Sequence, residues 1–151
     1  MLFRSASVPE LPPVKPFASA LEVEPEFLLV SNVIYDSLDS HKPFSFLKQG
    51  VSLIRSALKY EGIILSDDLI QPALLDNYPL KEIATAPLKA GVNMLILSLF
   101  FKQKTAYDIL LEEAQQDPLI KQRVEDSAAR IVTLKESMSV PFQSSQFSQN
   151  N

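Results

Sequence analysis

The chain contains no cysteine among its 151 residues and only one histidine, His41. The first absence excludes disulfides and thiolate nucleophiles and leaves the redox compartment open. The second excludes a metal centre built on several imidazoles. Clustered positive charge is also missing: lysines and arginines are scattered, the net charge is −4 and the pI is near 5.0. Nothing therefore marks a nucleic-acid surface. Nor is there a long apolar run. The longest, Met94 to Phe101, is broken by Ser98 and is too short to cross a bilayer. The N-terminus offers Arg4 and then prolines at 9, 12, 13 and 16 rather than the apolar stretch of a signal peptide. A soluble cytoplasmic protein without membrane contact is the expectation. What is present is 46% hydrophobic residues, enough for the core of one ordinary domain.

Three short apolar runs read as buried parallel strands: Phe27 to Ile34, Ile63 to Leu65, and Val92 to Leu97, the last introduced by Gly91. Helical periodicity lies between and after them. Phe46, Leu47, Val51, Ile54 and Leu58 recur at three-to-four spacing over 44–58. Helical segments over 69–90 are expected to break at Pro72, Pro79 and Pro87. Thr105 with Asp108 reads as a capping pair opening a helix to about residue 115. Asp117-Pro118 opens the next, with Ile120, Val124, Ser127, Ile131 and Leu134 along one face. A short helix is expected over 17–22. Residues 1–16 read as an irregular segment, 17–138 as the domain, and 139–151, rich in Ser, Gln and Asn, as a disordered tail. Strand alternating with helix means right-handed parallel βαβ units, hence an α/β fold. Three such units leave two bare sheet edges.

The second run ends abruptly in Ser66-Asp67-Asp68. Carboxylates at the C-terminal end of a buried parallel strand sit where α/β folds place their chemistry. Asp67 reads either as such a group or as the N-cap of the next helix. Asn32 reads equally as a hydrogen-bond partner for a ligand hydroxyl and as a group satisfying loop backbone. His41 reads as a solvated loop histidine. Arg123 and Arg130 read as structural, pairing with Glu125, Asp126 or neighbours. Leu99-Phe100-Phe101 reads as ordinary packing, or as an exposed patch that recruits a partner.

Four blocks carry a family resemblance. They are 28–35 (Leu-Leu-Val-Ser-Asn-Val-Ile-Tyr), followed by Asp39; 54–69, ending Gly62-Ile63-Ile64-Leu65-Ser66-Asp67-Asp68-Leu69; 89–95 (Lys-Ala-Gly-Val-Asn-Met-Leu); and 123–135, from Arg123 to Lys135. In this order they resemble the last third of the catalytic barrel of glycoside hydrolase family 3, in its β-N-acetylhexosaminidase branch. The resemblance implies a partial (β/α)8 TIM-type barrel of about three βα units plus a closing helix. It implies hydrolysis of O-glycosyl bonds of terminal β-linked N-acetylhexosamine by a retaining mechanism. Asp67 is the nucleophile on that reading, and Asn32 and Asp68 are substrate-binding candidates, Asp68 reading also as a cap of the following helix or a support for its neighbour. No metal or organic cofactor is implied. Where the branch carries the Asp-Ser-His of its acid/base loop, this chain has Ala6-Ser7-Val8, with Glu10 the nearest carboxylate. A complete barrel takes roughly 200 residues or more. The chain therefore reads as a truncated member without its acid/base. The alternative is a non-catalytic subunit that docks on a second chain, or self-associates, through its open sheet edges.

Overall fold

The computed structural model describes the backbone of Arg4–Ser5 and residues 19–138. Strand β1 (Arg4–Ser5) pairs in parallel with β3 (Ile34–Tyr35). Strands β2 (Phe27–Val30), β4 (Ile63–Asp68) and β5 (Met94–Ile96) form a parallel sheet in that order, with β4 central. The helices are α1 (Lys48–Ser56), α2 (Pro72–Leu75), α3 (Leu80–Ala90), α4 (Phe100–Gln116) and α5 (Pro118–Ser137). A 3-10 turn, Phe44–Phe46, precedes α1.

All three expected strands exist, with altered bounds. The first splits into β2 and β3. At the break the carbonyls of Ser31 and Val33 accept the amides of Ser45 and Phe44 instead of pairing in the sheet. The middle strand runs on through Ser66, Asp67 and Asp68, because Leu69 N–H still reaches Ile96 O at 2.9 Å. Two helix expectations need correction. Pro87 does not interrupt α3; lacking an amide it forgoes one bond near the helix end, and its ring is buried in the core. Thr105 and Asp108 do not open a helix but lie inside α4, where Asp108 pairs with Lys104 at 2.6 Å. Asp117 behaves as expected, its side chain accepting Leu119 N–H at 2.9 Å beside Pro118. Of the short helix over 17–22, residues 19–21 are helical and 17–18 lie outside the described residues, as does the tail 139–151.

Full burial was expected; the strands are buried on the helix-facing side, while the other face is only partly covered, Ile63 being buried there and its neighbours not. The helix-facing side carries Val30, Ile64 and Val92 against Val51 and Ile54 of α1 and Ala90 of α3. A second cluster joins Phe46, Leu69, Leu74 and Ile83. On the other face Phe27, Leu29, Met94 and Ile96 remain 37–50% exposed. Alternation along a strand sends successive side chains to opposite faces. Both faces of these strands are apolar, and the edge strands β2 and β5 leave theirs exposed on the second face.

The end of the sheet where the strands begin is tied by Asn93. Its Oδ1 accepts Ile64 N–H (3.0 Å) and Arg55 Nη2 (2.8 Å), and its Nδ2 donates to Ser127 Oγ (3.3 Å). Arg55 Nη1 also donates to the carbonyls of Tyr60 and Gly62. Gly91, at φ +112°, ends α3 in the left-handed region and turns the chain into this knot. Replacing Asn93 by Ala orphans a buried amide, and the unfolding free energy should fall by about 1–3 kcal/mol. Urea titration of both proteins checks this; a change inside about 0.5 kcal/mol, the scatter of neutral surface substitutions, would refute the role assigned to Asn93.

Candidate active site

The C-terminal end of β4 gathers the polar groups that the sequence singles out. Leu65 pairs with Leu29 of β2 and Met94 of β5, which places it on the open face, and Asp67 follows two residues later on the same face. Ser66 points the other way and is fully buried. The Asp67 carboxylate receives two neutral donors: Asp68 N–H on Oδ1 at 2.7 Å and Gln71 Nε2 on Oδ2 at 3.4 Å. Among the described residues it has no ion-pair partner. Asp67 therefore does not cap a helix: its carboxylate is oriented by two neutral donors, and the residue is half-buried.

Asp68 is engaged on both oxygens. Oδ1 accepts Ile70 N–H (3.1 Å) and Ser98 N–H (3.0 Å), and Oδ2 accepts Ser98 Oγ–H (2.6 Å). Burial by itself pushes this carboxyl up. The hydrogen bonds from Ser98 Oγ, Ile70 N–H and Ser98 N–H outweigh it and hold the group below the ordinary carboxylate range. Asn32 is buried, its Oδ1 accepting Ser45 Oγ–H at 2.7 Å and its Nδ2 donating to Asp68 O at 2.9 Å. Both side chains thus join neighbouring elements: Asn32 ties the end of β2 to β4, and Asp68 ties β4 to the loop after β5. Ser66 Oγ adds a third tie by accepting Ile96 N–H at 2.9 Å. The register between β4 and β5 shifts between Leu65 and Asp68, which marks an irregularity at the strand end.

Sequence reasoning did not assign roles to Ser45, Ser66 and Ser98. The available signal was Ser66, a small polar residue at a helix-facing position of an apolar strand. His41 stands apart, 86% exposed in a loop where Asp39 Oδ1 accepts the amides of His41 and Lys42. Ala6, Val8 and Glu10 lie outside the described residues. Arg130 pairs with Glu61 across elements rather than along its own helix, and Arg123 Nε is buried with no partner among the described residues. Both arginines line a cavity of about 1030 Å³ at the opposite end of the strands, alongside Glu26, Glu61 and Asp126. That cavity lies at the strand end opposite Asp67, and of its guanidinium groups Arg130 pairs with a carboxylate, that of Glu61. Among the described residues no three metal-ligating side chains converge, and no helix is long and apolar enough to cross a membrane.

A parallel sheet with a fixed carboxylate at the end of its central strand agrees with one family pattern. The model of the glycosyl hydrolase family 3 N terminal domain matches residues 11–134. The chain belongs to that family. Among solved structures it is similar to CbsA from Thermotoga neapolitana (TM-score 0.84, 22% identity, 94% of this chain and 34% of that one). It is also similar to a β-N-acetylhexosaminidase from Beutenbergia cavernae (TM-score 0.74, 23% identity, 82% and 37%). A third is the β-N-acetylglucosaminidase from Thermotoga maritima (TM-score 0.72, 25% identity, 78% and 27%). No curated protein sequence matches. The fold is thus a partial α/β TIM-type domain, and the chain spans 27–37% of the length of these three structures.

The hydrogen bonds that depress Asp68 link folding to pH. A carboxyl lowered in the folded state contributes stability that is present above its unfolded value, near 3.9, and is lost as pH falls through the folded value. The stability gap between the parent chain and Asp68→Asn should be full at neutral pH and close as the medium becomes strongly acidic. Thermal unfolding across that range tests it; a gap that does not change with pH would count against the assignment.

Proposed function

We propose that this chain carries the nucleophile half of a retaining β-N-acetylhexosaminidase site, with Asp67 as the nucleophile. One observation carries the reading. Asp67 stands at the C-terminal end of the central strand, on the open face, with its carboxylate oriented by two neutral donors. Retaining glycosidases use such a group to attack the anomeric carbon as the bond to the leaving oxygen breaks, forming a glycosyl ester that water then hydrolyses. Family membership and similarity to a β-N-acetylhexosaminidase and a β-N-acetylglucosaminidase support terminal β-linked N-acetylhexosamine as the substrate class. Asp68 and Asn32 act as positioning residues for the strand end, and any contact they make with substrate would be through groups left free by those bonds.

A full cycle needs a second group to protonate the leaving oxygen and later to activate water. Ala6 and Val8 stand where the family branch keeps that dyad, and neither can transfer a proton. Loss of general acid/base help lowers the rate by about 10²–10⁴-fold. Natural glycosides should therefore turn over poorly, whereas an aryl group leaves as a stabilised phenolate without being protonated.

The test is p-nitrophenyl N-acetyl-β-glucosaminide with purified chain. A burst approaching one equivalent of nitrophenol is expected, followed by slow release, with a hexosaminyl adduct on the Asp67 peptide by mass spectrometry. Asp67→Asn should give neither. A trace without burst or adduct, or one identical in the Asn variant, would rule the reading out.

A further inference from the structure

The cavity of about 1030 Å³ where the strands begin has its walls on α1, on the residues that lead into β4 and β5, and on α5. The α5 wall is polar. Arg123, Asp126, Ser127, Arg130, Thr133 and Ser137 recur along it at helical spacing and so share one side of the helix. Ser52 and Ser56 of α1 add two further hydroxyls.

The guanidinium groups of Arg55, Arg123 and Arg130 all line this cavity. Arg130 pairs with Glu61 at 3.4 Å. Arg55 spends its hydrogen bonds on neutral acceptors: the carbonyls of Tyr60 and Gly62, and Asn93 Oδ1. Arg123 forms no ion pair among the described residues, and its Nε is buried without an acceptor. A buried donor on a cation is costly to leave unmet. Burial, and after it the charge of Arg130, push the Arg55 guanidinium below its ordinary value, so positive charge is crowded on this side of the cavity. An anion placed here would supply the missing acceptor and relieve the crowding.

Guanidinium forks match phosphate oxygens and hold them by paired N–H donors. The volume is that of a small-molecule site and exceeds what an inorganic ion fills. Glu26 and Asp126 also line the cavity and form no ion pair among the described residues. Their carboxylates and the serine hydroxyls are acceptors for the hydroxyl groups of a ligand.

We propose that this cavity binds a phosphorylated, hydroxyl-rich small molecule, with Arg123 and Arg130 on its phosphate and the charge of Arg55 beside them. The inference is independent of the chemistry proposed for Asp67, at the other end of the strands, and its test reads no activity.

Inorganic phosphate is the probe. Calorimetric titration of the full chain, at an ionic strength fixed with sodium chloride, should show saturable binding at a single site. Arg123→Gln should weaken that binding roughly tenfold, the worth of one charge-assisted hydrogen bond. Far-UV circular dichroism should not change, because Arg123 ties no other element among the described residues. Lys121→Gln removes the same charge from the same helix outside the cavity and should bind phosphate as the parent does. A readout without variants is chemical modification: phosphate should slow the reaction of Arg123 with phenylglyoxal several-fold relative to chloride, as located by peptide mass spectrometry. A titration that never saturates, equal affinity in the parent and Arg123→Gln, an equal loss in Lys121→Gln, or an Arg123 that phosphate leaves unprotected would each overturn the proposal.

Discussion

The end of the sheet where Asp67 sits is held by one carboxylate, that of its neighbour Asp68. Three donors converge on it, two from Ser98 in the loop after β5 and one from Ile70 just beyond β4. The backbone carbonyl of the same residue accepts Asn32 from the end of β2. All three strand ends therefore meet at a single residue. Asp67 inherits its position from that junction, because its own Oδ1 is bound by the Asp68 amide. A nucleophile must be held within a fraction of an ångström to be useful, and a strand end locked from both sides can do this where a loop cannot.

The two ends of the sheet use the same device differently. At the starting end, Asn93 and Arg55 satisfy backbone groups that the crossovers would leave bare, and the partners are mostly carbonyls and one amide. At the finishing end the partners are hydroxyls and amides arranged around acidic groups. The first arrangement closes the structure off. The second holds the Asp67 carboxylate by neutral donors at the strand end. Between them lies a strip of branched aliphatic residues, so the polar groups mark the borders of the sheet and the apolar ones its helix-packed interior.

Much of this could be read from residue order. The middle strand showed itself through Gly62 before a β-branched run, and the last helix through Asp117-Pro118, because both signals are local. The bounds of β4 were not local: Asp67 and Asp68 are strand residues because Leu69 N–H meets Ile96 O, a contact made by a distant segment. The start of α4 was missed for a similar reason, since it begins after Leu99 with no side-chain cap and Thr105 offered a false one. The exposed face was not legible because a run such as Phe-Leu-Leu-Val is apolar at every position. Such a run says that both faces seek cover, and it does not say whether the chain supplies it. For the same reason Phe100 and Phe101, read first as packing, are 85% and 65% exposed.

The ties that hold this sheet also bear on how it forms. Asn32 reaches Asp68 across 36 positions of sequence, and Asn93 reaches Ile64 across 29. No pair of these parallel strands can zip from a tight turn, so each must wait for its intervening helix to bring the next strand round. Loop-closure entropy has to be met before either pairing rewards it, which slows folding relative to a helical or hairpin-rich chain of equal size. Since β4 is the partner of both other strands, the sheet has no stable two-strand precursor that omits it. Folding of this chain should therefore be governed by the arrival of one strand at the centre, and the residues that decide the outcome are the ones bearing the polar ties described above.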